Sequence, residues 1–372
     1  MPATKSSLIN RLNNNFARLK PVGIREFDAK ASQVPGIVKL TLGEPNFNVP
    51  DAMKEAAIKS INDNDSHYAP GVGTIALRKA IAHFLNDRYQ LDYDPNGEIA
   101  VTIGATQGIY AALATLINPG DEVLIATPTF PLYMAITTML GGQVVEIDTS
   151  ADDFVLTPEK LKAAIADHPT AKALILNYPS NPTGVTYTAA QIEELAGAVK
   201  DTDLVVIADE IYSELVYDGG HTSIAKFIPE QTLLLNGASK SHAMTGYRIG
   251  FIAGPKQLMG PVSALSGMMI TSATDSAMAA ATAAFGTDAG HQATLTMKKA
   301  YQERRDFLVG ALQKLGFELA TPRGAFYVFT KIPAAFGTDD VAFATKLAEK
   351  GKVAVIPGPV ARASCGSVTL LV

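Results

Sequence analysis

Cysteine is almost absent from this chain of 372 residues, in which Cys365 is the only one. A single cysteine excludes a framework of disulfide bonds within the chain and fits a reducing compartment. The six histidines lack the H-x-x-x-H spacing of metal sites, so the sequence predicts no metal. The chain also lacks G-x-x-x-x-G-K-[ST], which excludes the phosphate-binding loop of ATPases.

Long apolar runs and charge of one sign are missing as well. The amino-terminal stretch MPATKSSLIN has no apolar run after its lysine, and Asp275 interrupts the apolar stretch 264–286. We therefore expect no signal peptide, no membrane contact and a cytoplasmic location. With 18% charged residues, 47% hydrophobic residues and a net charge of −5, the composition is typical of a soluble globular protein without nucleic acid as a partner.

The middle of the chain alternates short apolar runs with helical patterns. EIAVTIG (98–104) is followed by a helical pattern, the turn NPGD and a second run, EVLIA (122–126). This alternation predicts an α/β fold with a mostly parallel sheet covered by helices. The other predicted strands are QVVEI (143–147), ALILNY (173–178), LVVIAD (204–209), TLLLNG (232–237) and YRIGFIAG (247–254).

The end of the chain has a different pattern. A long helical pattern over about 290–314 precedes FELATPRGAFYVF and VAVIPG, which favours an α+β lobe. Residues 1–45 show no strand pattern and are expected to pack with that lobe. The predicted division is a large domain at 46–289 and a small domain formed by 1–45 and 290–372.

One motif in the first third of the chain resembles a dinucleotide loop. GVGTIA (71–76) has the G-x-G-x-x-A outline, but HYAP precedes it where a strand is required. The context disfavours nicotinamide binding, and Gly71 and Gly73 are predicted to be loop glycines.

Polar residues follow the predicted strands, at the sheet edge where ligands of such folds bind. Gly104, Ala105 and Thr106 open a helix whose free N–H groups attract a phosphate, although the triplet alone is more typical of a plain turn. Asn181 in NYPSNPTG aims an amide at the same edge, or belongs to an ordinary Asn-Pro turn.

Two further strand ends carry charge. Asp209 and Tyr212 in ADEIY can project a carboxylate and a phenol toward one place, and the alternative is a capping aspartate with a core tyrosine. Lys240 and Arg248 lie in GASKSHAMTGYRIG, although most lysines are simply solvated. Pyridoxal 5′-phosphate suits this set of groups. It needs an amine that can form an imine, a cation that binds its phosphate, a carboxylate for its ring nitrogen, and hydroxyl or amide donors for its phenolate oxygen.

The ordered set of motifs resembles the fold-type-I pyridoxal-phosphate-dependent aminotransferases of class I/II, and more narrowly the bacterial aromatic or N-acetyl-diaminopimelate aminotransferases. The resemblance implies a three-layer α/β/α fold with a smaller α+β domain, and pyridoxal 5′-phosphate as cofactor. The match extends from LTLGEPNFNVP (40–50) through HYAPGVGTIALRKAIA, TIGATQGIYAAL, NYPSNPTG, ADEIY, SKSHAMTGYRIGF and RGAFYVF to VAVIPG, which ends at 358.

By this resemblance, Lys240 forms the internal aldimine and later moves the proton between the substrate α-carbon and the cofactor. Burial and the nearby Arg248 are expected to lower the pKa of Lys240. Asp209 pairs with the pyridinium nitrogen, and Tyr212 and Asn181 donate to the cofactor phenolate oxygen.

The resemblance also implies a phosphate site and a dimer. The phosphate would contact Arg248, Ser239 and the helix start at Gly104, Ala105 and Thr106. Phe130 is implied to stack on the cofactor ring, although a core phenylalanine is the alternative. Gly43 and Asn181 are the implied substrate contacts. Tyr68 matches the tyrosine that reaches the phosphate of the neighbouring subunit in a homodimer.

Small residues surround Lys240. Gly237, Ser239 and Gly246 are expected to let the phosphate approach the backbone closely. Gly237 stands where many members of the family have a serine, so one phosphate hydroxyl is expected to be missing.

The chain departs from the family after Gly358. The family has an arginine there for the substrate α-carboxylate, whereas this chain reads PVARASCGSVTLLV, with no arginine at the matching position, about Leu370, and with Arg362 well upstream. GSVTLLV can be encoded so that a shift of the reading frame by one nucleotide yields E-A-L-R-F-S, which contains an arginine. We therefore expect a truncated or altered carboxyl terminus and weak substrate binding.

The leading prediction is an aminotransferase that moves an amino group from an L-amino acid to a 2-oxo acid, with 2-oxoglutarate the expected acceptor. Aromatic amino acids and an acylated diaminopimelate are the candidate donors. Two alternatives stay open: a pyridoxal-phosphate-dependent β-C–S lyase that uses the same Lys240, and a cofactor-binding protein whose catalysis is impaired because the arginine is missing.

Overall fold

The computed structural model describes residues 5–19, 24–358 and 366–372. The helices are α1 Ser6–Ile9, α2 Asn14–Ala17, α3 Ile24–Ala31, α4 Asp51–Asn62, α5 Ile75–Tyr89, α6 Gly104–Leu116, α7 Leu132–Met139, α8 Pro158–Asp167, α9 Ala189–Val199, α10 Ala238–Ser241, α11 Lys256–Ile270, α12 Asp275–Gly286, α13 Asp288–Lys314 and α14 Asp340–Lys346. The strands are β1 Val38–Lys39, β2 Ile99–Ile103, β3 Glu122–Thr127, β4 Gln143–Asp148, β5 Ala173–Asn177, β6 Val205–Asp209, β7 Thr232–Gly237, β8 Ile249–Ala253, β9 Tyr327–Lys331, β10 Val353–Ala354, β11 Ile356–Pro357 and β12 Ser367–Leu371.

A seven-stranded sheet forms the centre of the molecule, in the order β2-β8-β7-β6-β5-β3-β4. Its strands are parallel except for β8, which is antiparallel to both β2 and β7. The prediction of a mostly parallel sheet is confirmed. The first predicted strand, EIAVTIG, is not beside the second, because β2 lies at the opposite edge from β3 and β4.

Helices cover both faces of this sheet, which explains why its strands are continuous apolar runs. Val123 and Ile125 of β3 pack in one core with Ile109 of α6, whereas Leu124 between them packs in another core with Ile192 of α9. Successive side chains of a strand point to opposite faces, so both faces of β3 are buried.

The loop that contains GVGTIA follows the prediction made for it. Gly73 has φ +87°, and a Cβ there would overlap the side chain of Val101. Helix α5 begins after Thr74, whose hydroxyl accepts from the N–H of Leu77. The two glycines therefore belong to a loop between α4 and the capped helix α5, not to a turn that follows a strand.

The carboxyl-terminal part of the chain continues from the long helix α13 into small sheets. Strands β11, β12 and β9 form an antiparallel sheet, and β1 pairs with β10 in a parallel one. Strand β1 is a short strand within residues 1–45, where the sequence showed no strand pattern. Leu40 packs with the carboxyl-terminal core, whereas the amide of Asn15 donates to the carbonyl of Met139 in α7.

The division into a large domain at 46–289 and a small domain formed by 1–45 and 290–372 stays a prediction.

Cys365 and Arg362 lie outside the described residues. Within the described ranges, no helix has both the length and the apolar character needed to cross a membrane. The same part of the chain contains no group of three or more histidine, cysteine, aspartate or glutamate side chains suited to a metal ion.

Candidate active site

A cavity of ≈ 650 Å³ opens at the carboxyl ends of the parallel strands. Ala105 follows β2, Asp209 ends β6 and Ser239 follows β7, so the cavity lies where the strand-end argument predicted a ligand. The predicted residues that line it are Gly43, Ala105, Thr106, Phe130, Asn181, Asp209, Tyr212, Ser239, Lys240 and Arg248.

Lys240 lies on the short helix α10, directly after β7. Its Nζ donates to the carbonyl oxygen of Gly43 at 2.6 Å. The ring centroids of Tyr212 and Phe326 lie 6.0 Å and 5.8 Å from Nζ. The amine is therefore held by one carbonyl and two aromatic rings inside the cavity.

The environment of Lys240 favours the neutral amine. Burial lowers the pKa of Lys240 to about 8, and the charge of Arg248 acts in the same direction. Glu44 and Asp209 oppose this change because their charges favour the ammonium form. The structure thus gives the lowered pKa that the sequence predicted, with burial as the largest cause.

Asp209 is the last residue of β6 and is only 3% exposed. Its carboxylate accepts from the hydroxyl of Tyr133 at 2.7 Å and from the N–H of Ile211 at 3.2 Å. Burial raises the pKa of Asp209 to about 6, although both hydrogen bonds act to lower it. A buried carboxylate with a raised proton affinity suits the recognition of a protonated ring nitrogen.

Tyr133 is a site residue that the sequence argument missed. It lies on α7, one turn after Phe130, and the two rings meet edge to face with centroids 5.6 Å apart. The motif TPTFPLY contains both residues, and their spacing of three is the signal that places the two rings on one side of a helical turn. Phe130 is half-buried and lines the cavity.

Arg248 is held beside the start of α6. Gly104 donates its N–H to the carbonyl of Arg248 at 2.9 Å, and the Arg248 guanidinium donates to the carbonyl of Thr245 at 2.9 Å. Gly104 has φ +65°, and a Cβ there would overlap the guanidinium. Only glycine at position 104 therefore satisfies both the backbone angle and the space that Arg248 occupies.

Helix α6 offers free N–H groups at the same place. Ile103 precedes the helix and supplies no side-chain cap, while Ala105 and Thr106 of the first turn line the cavity. An uncapped helix start beside a guanidinium is suited to a bound phosphate. The contact of a phosphate with these residues stays a prediction.

The close approach of a phosphate to the small residues around Lys240 stays a prediction, and Gly237 has a packing reason of its own. A Cβ on Gly237 would lie 2.7 Å from the carbonyl oxygen of Ile249, so this glycine allows β7 to approach β8. Gly246 lines the cavity with open space beside it. The close approach at the helix start is made by Gly250, where a Cβ would lie 2.5 Å from the nitrogen of Ala105.

A second tyrosine that the sequence argument missed joins the site from the carboxyl-terminal sheet. Tyr327 begins β9, and its hydroxyl lies 2.7 Å from that of Tyr212. Burial raises the pKa of both phenols, so both keep their protons near neutral pH. A Cβ on Gly43 would overlap the Tyr327 hydroxyl, which gives Gly43 a packing reason in addition to its contact with Lys240.

Asn181 lies at the end of β5, in the loop beside Asp209. Its N–H donates to Oδ1 of Asn177 at 2.9 Å, and the Asn177 amide donates to the carbonyl of Asp209 at 3.0 Å. These bonds leave the Asn181 side chain at the cavity wall.

The carboxyl-terminal strand requires a correction of one residue. Leu370 packs in the carboxyl-terminal core with Val328, whereas Thr369 lines the cavity. The reason is the alternation of side chains along β12, which sends neighbouring residues to opposite faces. The position for a carboxylate-binding side chain is therefore 369. In the described part of the chain, the cationic side chains that line the cavity are Lys240 and Arg248.

Two predicted site residues, Gly104 and Tyr68, are absent from the cavity lining. Tyr68 lies between α4 and α5 and is 87% exposed. Its role toward a neighbouring subunit stays a prediction.

The donor set of the cavity fits pyridoxal 5′-phosphate. It combines an amine of lowered pKa, a buried carboxylate, phenol and amide groups, and a guanidinium beside an uncapped helix start. Each polar group of that cofactor has a partner of the matching type among these residues.

Comparison with known proteins gives a consistent result. A family model described as aminotransferase class I and II matches residues 35–370. The probable N-acetyl-LL-diaminopimelate aminotransferase of Bacillus subtilis is 37% identical over 347 residues, which are 93% of this chain and 87% of that protein. The aspartate/prephenate aminotransferase of Thermus thermophilus is 36% identical over 353 residues, which are 93% of this chain and 90% of that protein.

A solved structure agrees with the sequence relatives. The aspartate aminotransferase from Thermus thermophilus with maleate superposes with a TM-score of 0.92 and 36% identity, over 97% of this chain and 94% of that chain. The predicted three-layer fold of type I is confirmed. All of these relatives are named as aminotransferases, and none of them favours the β-C–S lyase.

Proposed function

The chain belongs to the class I and II aminotransferases, which depend on pyridoxal 5′-phosphate, and from this premise we propose that Lys240 is the residue that holds the cofactor covalently. The observation that carries the proposal is that one cavity contains a lysine of lowered pKa, a buried aspartate and an arginine at a helix start. The reaction moves the amino group of an L-amino acid to a 2-oxo acid, with 2-oxoglutarate as the acceptor.

The chain's own residues divide the work. Bound pyridoxal 5′-phosphate supplies an electron sink for the negative charge that develops at the substrate α-carbon. With that cofactor bound, Lys240 would act as the general base that moves the proton from the substrate α-carbon. Its pKa of about 8 is close to neutral pH, which suits a general base.

The other side chains hold the cofactor in place. Asp209 keeps the ring nitrogen protonated, because a buried carboxylate stabilises a cation beside it. Tyr212 and Asn181 donate to the phenolate oxygen. Arg248 and the first turn of α6 hold the phosphate through a guanidinium and free N–H groups.

The substrate class is proposed from the apolar cavity wall and from the relatives. Leu42, Phe130 and Ile356 line the cavity, which suits a donor with an apolar or aromatic side chain. An acylated diaminopimelate is the second candidate donor, because one relative is named for that activity. We also propose a cytoplasmic homodimer in which Tyr68 contacts the phosphate held by the other subunit.

Borohydride trapping tests the site of attachment. The protein is mixed with pyridoxal 5′-phosphate, reduced and digested, and the modified peptide is identified by mass spectrometry. We expect the label on Lys240, and no label on the same peptide in Lys240→Ala. A label found only on exposed lysines such as Lys299, or no visible absorption band on mixing, would contradict the proposal.

Single-turnover measurements then test the reaction. A panel of aromatic, acidic and acylated diamino acids is added one at a time to the loaded protein, and the loss of the visible band is followed. 2-Oxoglutarate should restore the band. Release of pyruvate and ammonia from cystathionine, without this reversal, would indicate the lyase.

Mixing two inactive variants tests the proposed dimer. Tyr68→Phe carries an intact Lys240, and Lys240→Ala carries an intact Tyr68, so a mixed dimer contains one complete site. Activity should therefore reappear on mixing. Failure to recover it after demonstrated subunit exchange would remove Tyr68 from the site.

A further inference from the structure

Glu210 follows Asp209 directly and is fully buried. Its Oε1 accepts from the hydroxyl of Tyr178 at 2.9 Å and from the hydroxyl of Ser223 at 2.7 Å. Its Oε2 lies 2.7 Å from Nε2 of His221, whose side chain is 1% exposed. A buried carboxylate thus lies beside the proposed cofactor ligand, and three polar side chains hold it.

Tyr178 connects Glu210 to Asp209. The N–H of Tyr178 donates to the carbonyl of Asp209 at 3.2 Å, while its phenol donates to Glu210. The ring of His221 stacks on the ring of Tyr178, with centroids 5.1 Å apart and an angle of 28° between the planes. Tyr178, which binds the Glu210 carboxylate and stacks on His221, therefore also holds the backbone of Asp209.

The geometry indicates which ring nitrogen of His221 carries the proton that His221 shares with Glu210. Nδ1 of His221 is buried and has no hydrogen-bond partner among the described residues. A proton on Nδ1 would leave a buried donor without a hydrogen-bond acceptor, which is unfavourable. The favoured state has a proton on Nε2, donated to Glu210, so the pair carries one negative charge in total.

We propose that Glu210 and His221 are positioning residues for Asp209, which fix its turn and hold a negative charge next to it. That charge strengthens the ability of Asp209 to keep the cofactor ring nitrogen protonated. The inference rests on the role proposed for Asp209 above. Neither side chain is among the residues that line the cavity, so neither contacts the reacting atoms.

The electrostatic surroundings agree with this role. Among the causes that shift the pKa of Asp209, burial is the largest and raises it, Tyr133 and Ile211 lower it, Glu210 raises it and Lys240 lowers it. The titratable groups that face the two carboxylates are Tyr133, Tyr212 and Lys240 around Asp209, and Tyr89, Tyr93, Tyr178 and His221 around Glu210.

The test is a pH titration of the visible absorption of the cofactor-loaded protein, which reports protonation at the cofactor rather than turnover. Glu210→Gln keeps the size of the side chain and removes the charge. We expect its titration midpoint to fall by about half a pH unit or more, because a nearby negative charge stabilises the protonated form. Glu210→Asp keeps the charge and should titrate within about 0.2 units of the unchanged protein.

Glu214→Gln is the matched control. Glu214 is also buried, but its carboxylate contacts Arg88 at 3.3 Å and it is absent from the groups that act on Asp209. Its midpoint should not move. Equal shifts in Glu210→Gln and Glu214→Gln would indicate general loosening of the fold and would overturn the inference.

The remaining outcomes separate this inference from the proposed function. If the unchanged protein gives no visible band, the proposed function fails and the inference fails with it. If the band forms but Glu210→Gln titrates like the unchanged protein, the inference alone is wrong. Should Glu210→Gln not fold, the double variant Glu210→Met with His221→Leu replaces the pair by apolar residues of similar size and must give the same downward shift.

Discussion

Replacing Asp209 by asparagine is expected to stabilise the cofactor-free protein at neutral pH while it abolishes transamination. The folded protein buries this carboxylate and raises its pKa from 3.8 to about 6. The raised pKa means that the charged form is less stable in the folded protein than in the unfolded chain. An asparagine removes the charge and can still accept from the N–H of Ile211.

The size of the effect follows from the pKa difference of about 2 between the folded and unfolded states. At about 1.4 kcal/mol for each pKa unit, the charged carboxylate destabilises the fold by about 3 kcal/mol. This figure already includes the attraction between Asp209 and the Lys240 ammonium, which lowers the pKa of Asp209. The penalty is absent below pH 3.8, builds up between pH 3.8 and about 6, and is complete above that value.

Thermal and urea unfolding of the cofactor-free proteins at pH values from 4 to 8 would measure this difference. The advantage of Asp209→Asn should be near zero at pH 4, should grow as the pH rises and should level off above about pH 7. Asp92→Asn, at an exposed position, is the control and should show no such trend. An Asp209→Asn protein that is less stable than the unchanged protein at pH 8 would refute the reasoning.

Three further predictions use other parts of the site. Capture of pyridoxal 5′-phosphate by Lys240 should accelerate with rising pH around a midpoint near 8, because only the neutral amine reacts; a midpoint near 10 in stopped-flow absorbance would contradict this. Gly104→Ala should weaken cofactor binding about tenfold or more, measured by equilibrium titration, because its Cβ displaces the Arg248 guanidinium. Thr369→Arg should lower KM for the amino donor by about tenfold or more with little change in kcat, whereas Leu370→Arg should destabilise the protein because it buries a charge in the core.

The strands and the polar residues at their ends could be predicted from the sequence because both signals are local. A buried parallel strand is a short apolar run, and the residue after it lies at the ligand edge whatever the order of the strands. Asp209 and Lys240 were found in this way. The order of the strands in the sheet could not be predicted from these local patterns, because the pairing of two strands distant in the chain has no pattern in the sequence of either strand.

Tyr133 and Tyr327 show what local patterns miss. Each has the sequence environment of an ordinary core tyrosine, and each acquires its role through one contact with a residue far away in the chain: Asp209 for Tyr133 and Tyr212 for Tyr327. The resemblance to a family did not supply these contacts. Identifying them required the positions of α7 and β9.

Leu370 and Gly237 show how a neighbouring strand decides the role of a residue. A strand turns alternate residues to opposite faces, so an error of one position exchanges a cavity residue, Thr369, for a core residue. Gly237 is close to Lys240 along the chain, whereas the contact that requires glycine is made by Ile249 of the next strand. In both cases the neighbour across the sheet decided the outcome.

Lys240 and Arg248 belong to one connection, residues 238–248, between the adjacent strands β7 and β8. Gly237 is paired with Gly250, so the two ends of that connection are joined by the sheet itself. The spacing between the amine and the guanidinium is consequently an internal property of a hairpin and is independent of the carboxyl-terminal sheet. Sequence changes beyond residue 327 should therefore alter substrate specificity more readily than they weaken the affinity for the cofactor.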